Sequence, residues 1–166
     1  KNYKVDNFVK NPPQETFNKI MNLYKKGQYF SVIEQAKVII KQYPEAYMTW
    51  NILGASALQK GILDQALQAF EKTTKIKPDF SNGYYNMGVA LQNQRKLDVS
   101  IKAYNKAISL KPDYPEAYNN MGVALKDQGK LNEALEAFDN TIKLKPNHIE
   151  AYNNIGIILK GIIFKE

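Results

Sequence analysis

Residues 115–146 carry two apolar stripes at helical spacing, separated by a glycine and closed by a proline. Tyr118, Met121, Gly122 and Leu125 fall at i, i+3, i+4 and i+7, one face of a first helix. Leu131, Leu135, Phe138 and Ile142 make the stripe of a second. The spacing predicts an amphipathic helix pair, with Gly129 ending the first helix in a left-handed conformation and Pro146 marking the end of the second. Gly122 has no side chain, so the partner helix can approach closely there, which offsets the roughly 1 kcal/mol cost of a helical glycine. A single pair leaves apolar faces uncovered, so copies must stack.

The copies follow a fixed period. Pro44, Pro78, Pro112 and Pro146 recur every 34 residues. Gly54, Gly88, Gly122 and Gly156 recur with them, each four residues after an aromatic: Trp50, Tyr84, Tyr118 and Tyr152, which read as core. Ala66/Phe70, Ser100/Tyr104 and Ala134/Phe138 repeat later in each unit. The expected fold class is all-α, an array of antiparallel helix pairs at residues 13–160. Its units are 13–46, 47–80, 81–114 and 115–148, with a half unit at 149–160. Residues 1–12 read as an N-terminal extension and 161–166 as a C-terminal tail. Unit 13–46 reads as degenerate, with Thr16 at the aromatic place and Ile20 at the glycine place. Arg95 stands at the turn position of Gly27, Gly61 and Gly129. If that turn needs a positive φ, arginine costs about 1 kcal/mol there; the other reading is a different turn geometry.

Period, residue types and offsets together resemble the tetratricopeptide repeat family over residues 13–160. The resemblance implies a right-handed superhelical solenoid, with a concave groove lined by the free face of each first helix. It places in that groove Asn51, Tyr85, Asn86, Val89, Asn119, Asn120, Val123, Asn153 and Asn154 as candidate peptide contacts. The amides form a ladder, Asn18, Asn86, Asn120 and Asn154, interrupted by Ile52. A side-chain amide carries donors and an acceptor, so it can pair with the backbone of an extended peptide without reading its side chains. The phrases "NMG" and "NIG" are similar to the groove wording of the O-GlcNAc transferase arm, where such asparagines contact substrate backbone. The other reading is that the amides only tie neighbouring helices together. Clamps for acidic chaperone tails need groove lysines and arginines. Phe17, Asn51, Ile52, Asn82 and Asn86 stand there instead, which disfavours that ligand.

The carboxyl end departs from the period, because Ile163 falls where a turn glycine belongs. The last helix leaves an apolar patch, and Ile158, Ile162, Ile163 and Phe164 read as a self-association surface for a homodimer. The opening Lys1 and the interrupted last unit read as the limits of a fragment, the recruiting arm of a larger protein with room for a catalytic domain downstream, as in bacterial arrays fused to transferases.

Composition narrows the function. With no cysteine and a single His148, no disulfide, thiolate zinc site or multi-histidine site can form, and no metal or cofactor is expected. No phosphate loop, paired-carboxylate cleft or serine–histidine arrangement can be assembled, so the segment is read as non-catalytic. The net charge is +7, but Lys75, Lys77, Lys111, Lys143 and Lys145 sit just before prolines, facing the negative ends of helix dipoles. No basic cluster interleaves with stacking aromatics, so no nucleic acid partner is expected. No long uncharged apolar run predicts a transmembrane segment, and the absence of cysteine suits a cytoplasmic setting. The reading is a protein-interaction scaffold that binds an extended peptide; the alternative is a self-association module with no peptide ligand.

Overall fold

The structure, a computed structural model, describes residues 11–163. Among these residues there are nine helices and no strand. In chain order α1 is Gln14–Lys25, α2 Tyr29–Gln42, α3 Tyr47–Gln59, α4 Leu63–Ile76 and α5 Ser81–Asn93. They are followed by α6 Leu97–Leu110, α7 Pro115–Asp127, α8 Leu131–Leu144 and α9 Ile149–Ile163. The helix pairs keep the register read from the prolines. Helix α9 runs past the expected limit at residue 160, because Ile163 supplies no left-handed stop.

The chain divides after Pro78 into two compact units. In the first, Ile20, Val32, Ala36, Ile39, Ile52, Leu53 and Ala69 form the core, with Phe17, Tyr24 and Trp50 against it. In the second, Tyr114 packs with Ala107, Ala117, Tyr84 and Tyr85. Leu125, Phe138 and Ile158 pack there with Ala134, Ala137 and Ala151, and with Met121, Leu131, Leu135 and Ile142. Both stripes of residues 115–146 are therefore core-facing. Within each unit, and among the described residues, helices touch only neighbours one or two places away in chain order.

Close approach inside each pair depends on glycine. A Cβ on Gly54 would lie 2.6 Å from Cε1 of Phe70, one on Gly88 2.6 Å from Cε1 of Tyr104, and one on Gly122 2.7 Å from Cε1 of Phe138. These three aromatics are fully buried. Around Gly156 the same space holds nothing within 4 Å. Trp50, Tyr84 and Tyr118 are half-buried, but Tyr152, expected in the core, is 51% exposed. No second helix covers it among the described residues.

The turns after α1, α3, α5 and α7 share one hydrogen-bond pattern. After α7, Gly129 N–H donates to the Lys126 carbonyl at 2.9 Å and Lys130 N–H to Leu125 at 3.0 Å. This paired closure needs a left-handed residue. Gly27, Gly61 and Gly129 have φ of +71°, +71° and +77°, and Arg95 adopts +61° in the same place. The turn thus keeps its geometry with a side chain forced into it. Lys77, Lys111 and Lys145 cap α4, α6 and α8, where their charge meets the negative helix ends. His148 precedes α9, and its Nδ1 accepts the Ala151 N–H at 3.4 Å.

Candidate functional site

Helices α5, α7 and α9 lie side by side in the second unit, as α1 and α3 do in the first. Their amides answer to two different demands. Asn120 is the centre of a bridge between helices: its Nδ2 donates to the Tyr85 hydroxyl at 3.1 Å. The Tyr104 hydroxyl donates to Gln92 Oε1 at 2.7 Å and also lies within reach of the Asn120 amide. The Tyr85 ring stands 5.0 Å from that of Tyr114 and 6.1 Å from that of Tyr104. Burial pushes the hydroxyls of Tyr104 and Tyr114 well above the ordinary tyrosine range, with Tyr85 adding to the effect in both. Tyr85 is raised by burial first and then by the Glu116 carboxylate, while its bond to Asn120 opposes the shift.

Two predicted groove residues are not groove surface. Asn119 is 2% exposed and Asn154 7%. Consecutive helical residues point about 100° apart, so one amide of each Asn–Asn pair must turn inward. In α9 that residue is Asn154, whose Oδ1 accepts from Lys126 Nζ of α7 at 2.7 Å. In α7 it is Asn119, whose Oδ1 has no hydrogen-bond partner and whose Nδ2 reaches Asn120 only at 3.5 Å. Of the other candidates, Tyr85, Asn86, Val89, Asn120 and Val123 are half-buried and Asn153 is exposed. Asn51, half-buried on α3, belongs to the first unit. The sequence pattern puts Gln92 and Lys126 on the free face of their helices without giving them a bond, and it does not single out Tyr114. Tyr114 carries the one signal that could have found it: Phe80 stands one period earlier, each just before a first helix.

The first unit has a cavity of about 280 Å³ at the start of α1 and α3, lined by Asn11, Pro12, Gln14, Phe17, Ala46, Met48 and Thr49. The Thr49 hydroxyl is fully buried there without a partner.

The self-association surface also changes. Ile158 is 3% exposed and packs with Leu125 and Phe138, because it lies on the face of α9 that meets its own unit. Ile162 and Ile163 are 45% and 66% exposed, and Phe164 lies outside the described residues. Among the described residues no cluster of three or more histidines, aspartates or glutamates could hold a metal ion, and no helix is long and apolar enough to cross a membrane.

Glycine-notched helix pairs, left-handed turns at fixed intervals and an amide-lined row of first helices define an all-α helical-repeat protein. Tetratricopeptide-repeat profiles match residues 21–79 and 115–148, and a further profile described as a TPR repeat matches residues 96–129. The chain belongs to the tetratricopeptide-repeat family. The peroxisomal targeting signal receptor of Candida albicans is 30% identical over 70 residues, 42% of this chain and 12% of that protein. That of Saccharomyces cerevisiae is 29% identical over 70 residues, covering 42% and 11%. The chain thus matches only a small part of these receptors. A crystal structure of MamA superposes with a TM-score of 0.80 at 28% identity, covering 84% of this chain and 82% of that one. The first tetratricopeptide domain of Spaghetti (RPAP3), bound to the HSP90 peptide SRMEEVD, gives 0.69 at 25% identity over 70% and 93%. YrrB, at 20% identity and a TM-score of 0.77 over 95% and 81%, shares the fold.

Proposed function

We propose that this chain is a non-catalytic protein-interaction module that receives an extended peptide along α5, α7 and α9 of its second unit. The carrying observation is the row formed by Asn86, Val89, Asn120, Val123 and Asn153 on three adjacent first helices. Its alternating amide and apolar character suits backbone pairing with shallow side-chain contact. The RPAP3 likeness supports a peptide ligand, but an acidic tail is not the one proposed. Where such a tail needs cations, this chain has Phe17, Asn51, Ile52, Asn82 and Asn86. The cavity beside Thr49 would take one side chain of a ligand at the first unit. Neither a nucleic acid nor a cofactor enters this reading.

Peptides selected from a random phage library on the purified chain would test this by calorimetry. Val89→Glu should weaken a selected peptide about tenfold or more while leaving the helical signal intact. Indifference to the substitution would place the binding surface elsewhere. The second reading, self-association, draws on the exposure of Ile162 and Ile163 on α9.

A further inference from the structure

Asn82 and Gly83 form the chain's single Asn–Gly step, and it falls inside the first turn of α5. One and two periods on, α7 and α9 hold Glu116–Ala117 and Glu150–Ala151 at the same places. Both glutamates are first-turn acids, where a negative charge meets the positive end of a helix dipole. Asn82 is exposed. An asparagine amide before glycine is open to attack by the next backbone nitrogen, because glycine carries no Cβ to shield it. That nitrogen is lightly held here. Gly83 N–H donates to the Phe80 carbonyl, three places back, at 3.0 Å; the first N–H groups of a helix have no full-turn partner. The N-cap is Phe80, whose side chain makes no capping bond, where serine, threonine or aspartate would tie these groups down. Ser81, Asn82 and Gly83 are all weak helix formers. Gly83 is buried, so attack waits on fraying of this turn, which has little to hold it shut.

We infer that Asn82 is a self-modification site, where deamidation in the folded protein replaces the side-chain amide with a carboxylate over time. When the turn opens, Gly83 N attacks Asn82 Cγ. The N–Cγ bond forms, the Cγ–Nδ2 bond breaks, and ammonia leaves with the proton of the Gly83 N–H, giving a succinimide. Water then opens the ring. Attack at Cγ yields aspartate in the normal chain, and attack at the Asn82 carbonyl carbon yields an isoaspartyl link routed through Cγ. No oxidant, reductant or further reagent enters. The aspartyl product suits the helix start: its carboxylate stands where Glu116 and Glu150 stand one and two periods on, beside N–H groups that lack a full-turn partner. The isoaspartyl product lengthens the backbone by one atom and cannot keep that turn. The modification does not rest on the peptide row, but it alters that row. Asn82 precedes Asn86 by one turn of α5, so conversion adds a negative charge beside it.

The full 166-residue chain, incubated in mildly alkaline buffer and mapped by tryptic mass spectrometry, should gain the mass of an NH2-to-OH exchange at Asn82. Asn147, exposed in a turn and followed by His148, is the internal control and should convert on the order of tenfold more slowly. Gly83→Ala should slow conversion of Asn82 by a similar factor. That variant should fold, because Ala117 and Ala151 hold the same place one and two periods on. Asn82→Asp, the finished product, should melt no lower than the parent chain. Conversion of Asn82 in urea but not in the native protein would show that α5 keeps the turn shut, and would overturn the inference. Conversion undiminished by Gly83→Ala, or no faster than at Asn147, would overturn it as well, as would a lower melting temperature for Asn82→Asp.

Discussion

Ile20 and Ala36 exchange the sizes found at the same places in the other helix pairs. Ile20 stands at the glycine position of α1 and Ala36 at the aromatic position of α2, and both are 0% exposed in one core. Elsewhere a glycine receives an aromatic ring; here an alanine receives a branched aliphatic chain. The pair that looks degenerate in sequence keeps its packing by inverting the roles.

This exchange should behave as a coupled pair. Ile20→Gly leaves a cavity and should cost about 3–5 kcal/mol, and Ala36→Phe overpacks at about 1–3 kcal/mol or more. The double variant should be less unstable than the sum by at least about 1 kcal/mol. Urea unfolding of the three variants measures that coupling, and strict additivity would dissociate the two residues.

Glycines at equivalent positions should respond with opposite sign. Gly122→Ala forces a Cβ to 2.7 Å from the buried Phe138 ring and should destabilise by about 1–3 kcal/mol despite the better helix propensity of alanine. Gly156→Ala meets nothing and should stabilise α9 by up to about 1 kcal/mol. Thermal melts followed by circular dichroism would separate them.

Arg95 holds a left-handed φ of +61°. Arg95→Gly should raise stability by up to about 1 kcal/mol. The arginine Nη1 stands 3.8 Å from Asp127 Oδ2 with its side chain 83% exposed, and removing so exposed an ion pair costs little. A lower denaturation midpoint would show that the turn tolerates arginine without strain.

Alkaline pH should weaken the second unit. Tyr85, Tyr104 and Tyr114 hold their protons more tightly folded than unfolded. The unfolded chain therefore loses these protons first, and stability present below pH about 10 falls as pH rises beyond it. Tyr104→Phe removes one of these groups and should flatten the fall. Tyrosinate absorbance against pH, recorded beside the melting curve, would show ionisation and unfolding rising together.

Asn120→Ala should cost about 1 kcal/mol, because it strands the Tyr85 hydroxyl, whereas the exposed Asn153→Ala should stay within about 0.5 kcal/mol. Equal costs would mean that the Tyr85 bond adds nothing to stability.

The helix pairs are legible in the sequence because backbone contact at Gly54, Gly88 and Gly122 leaves no choice of residue, and the requirement recurs at a fixed period. The amide row is legible only in part. Helical spacing places Asn119 and Asn120 on the wall, but which of two adjacent amides turns inward depends on a neighbour such as Tyr85 or Lys126, set by packing between repeats. Tyr152 shares every local feature of Tyr118; its exposure follows from what lies over it, which local pattern does not contain. The inversion at Ile20 and Ala36 is written in the chain, yet the two changes read as decay unless taken together.

Because the described helices touch only near neighbours along the chain within each unit, few distant segments of a unit have to find one another during folding. Little loop-closure entropy stands before the first favourable contact, which places such a chain among fast folders. A ribosome would release α1 to α4 with their partners already made, and within the second unit each later pair would find its neighbour waiting. Synthesis from the amino terminus then assembles the molecule in the order in which its parts touch.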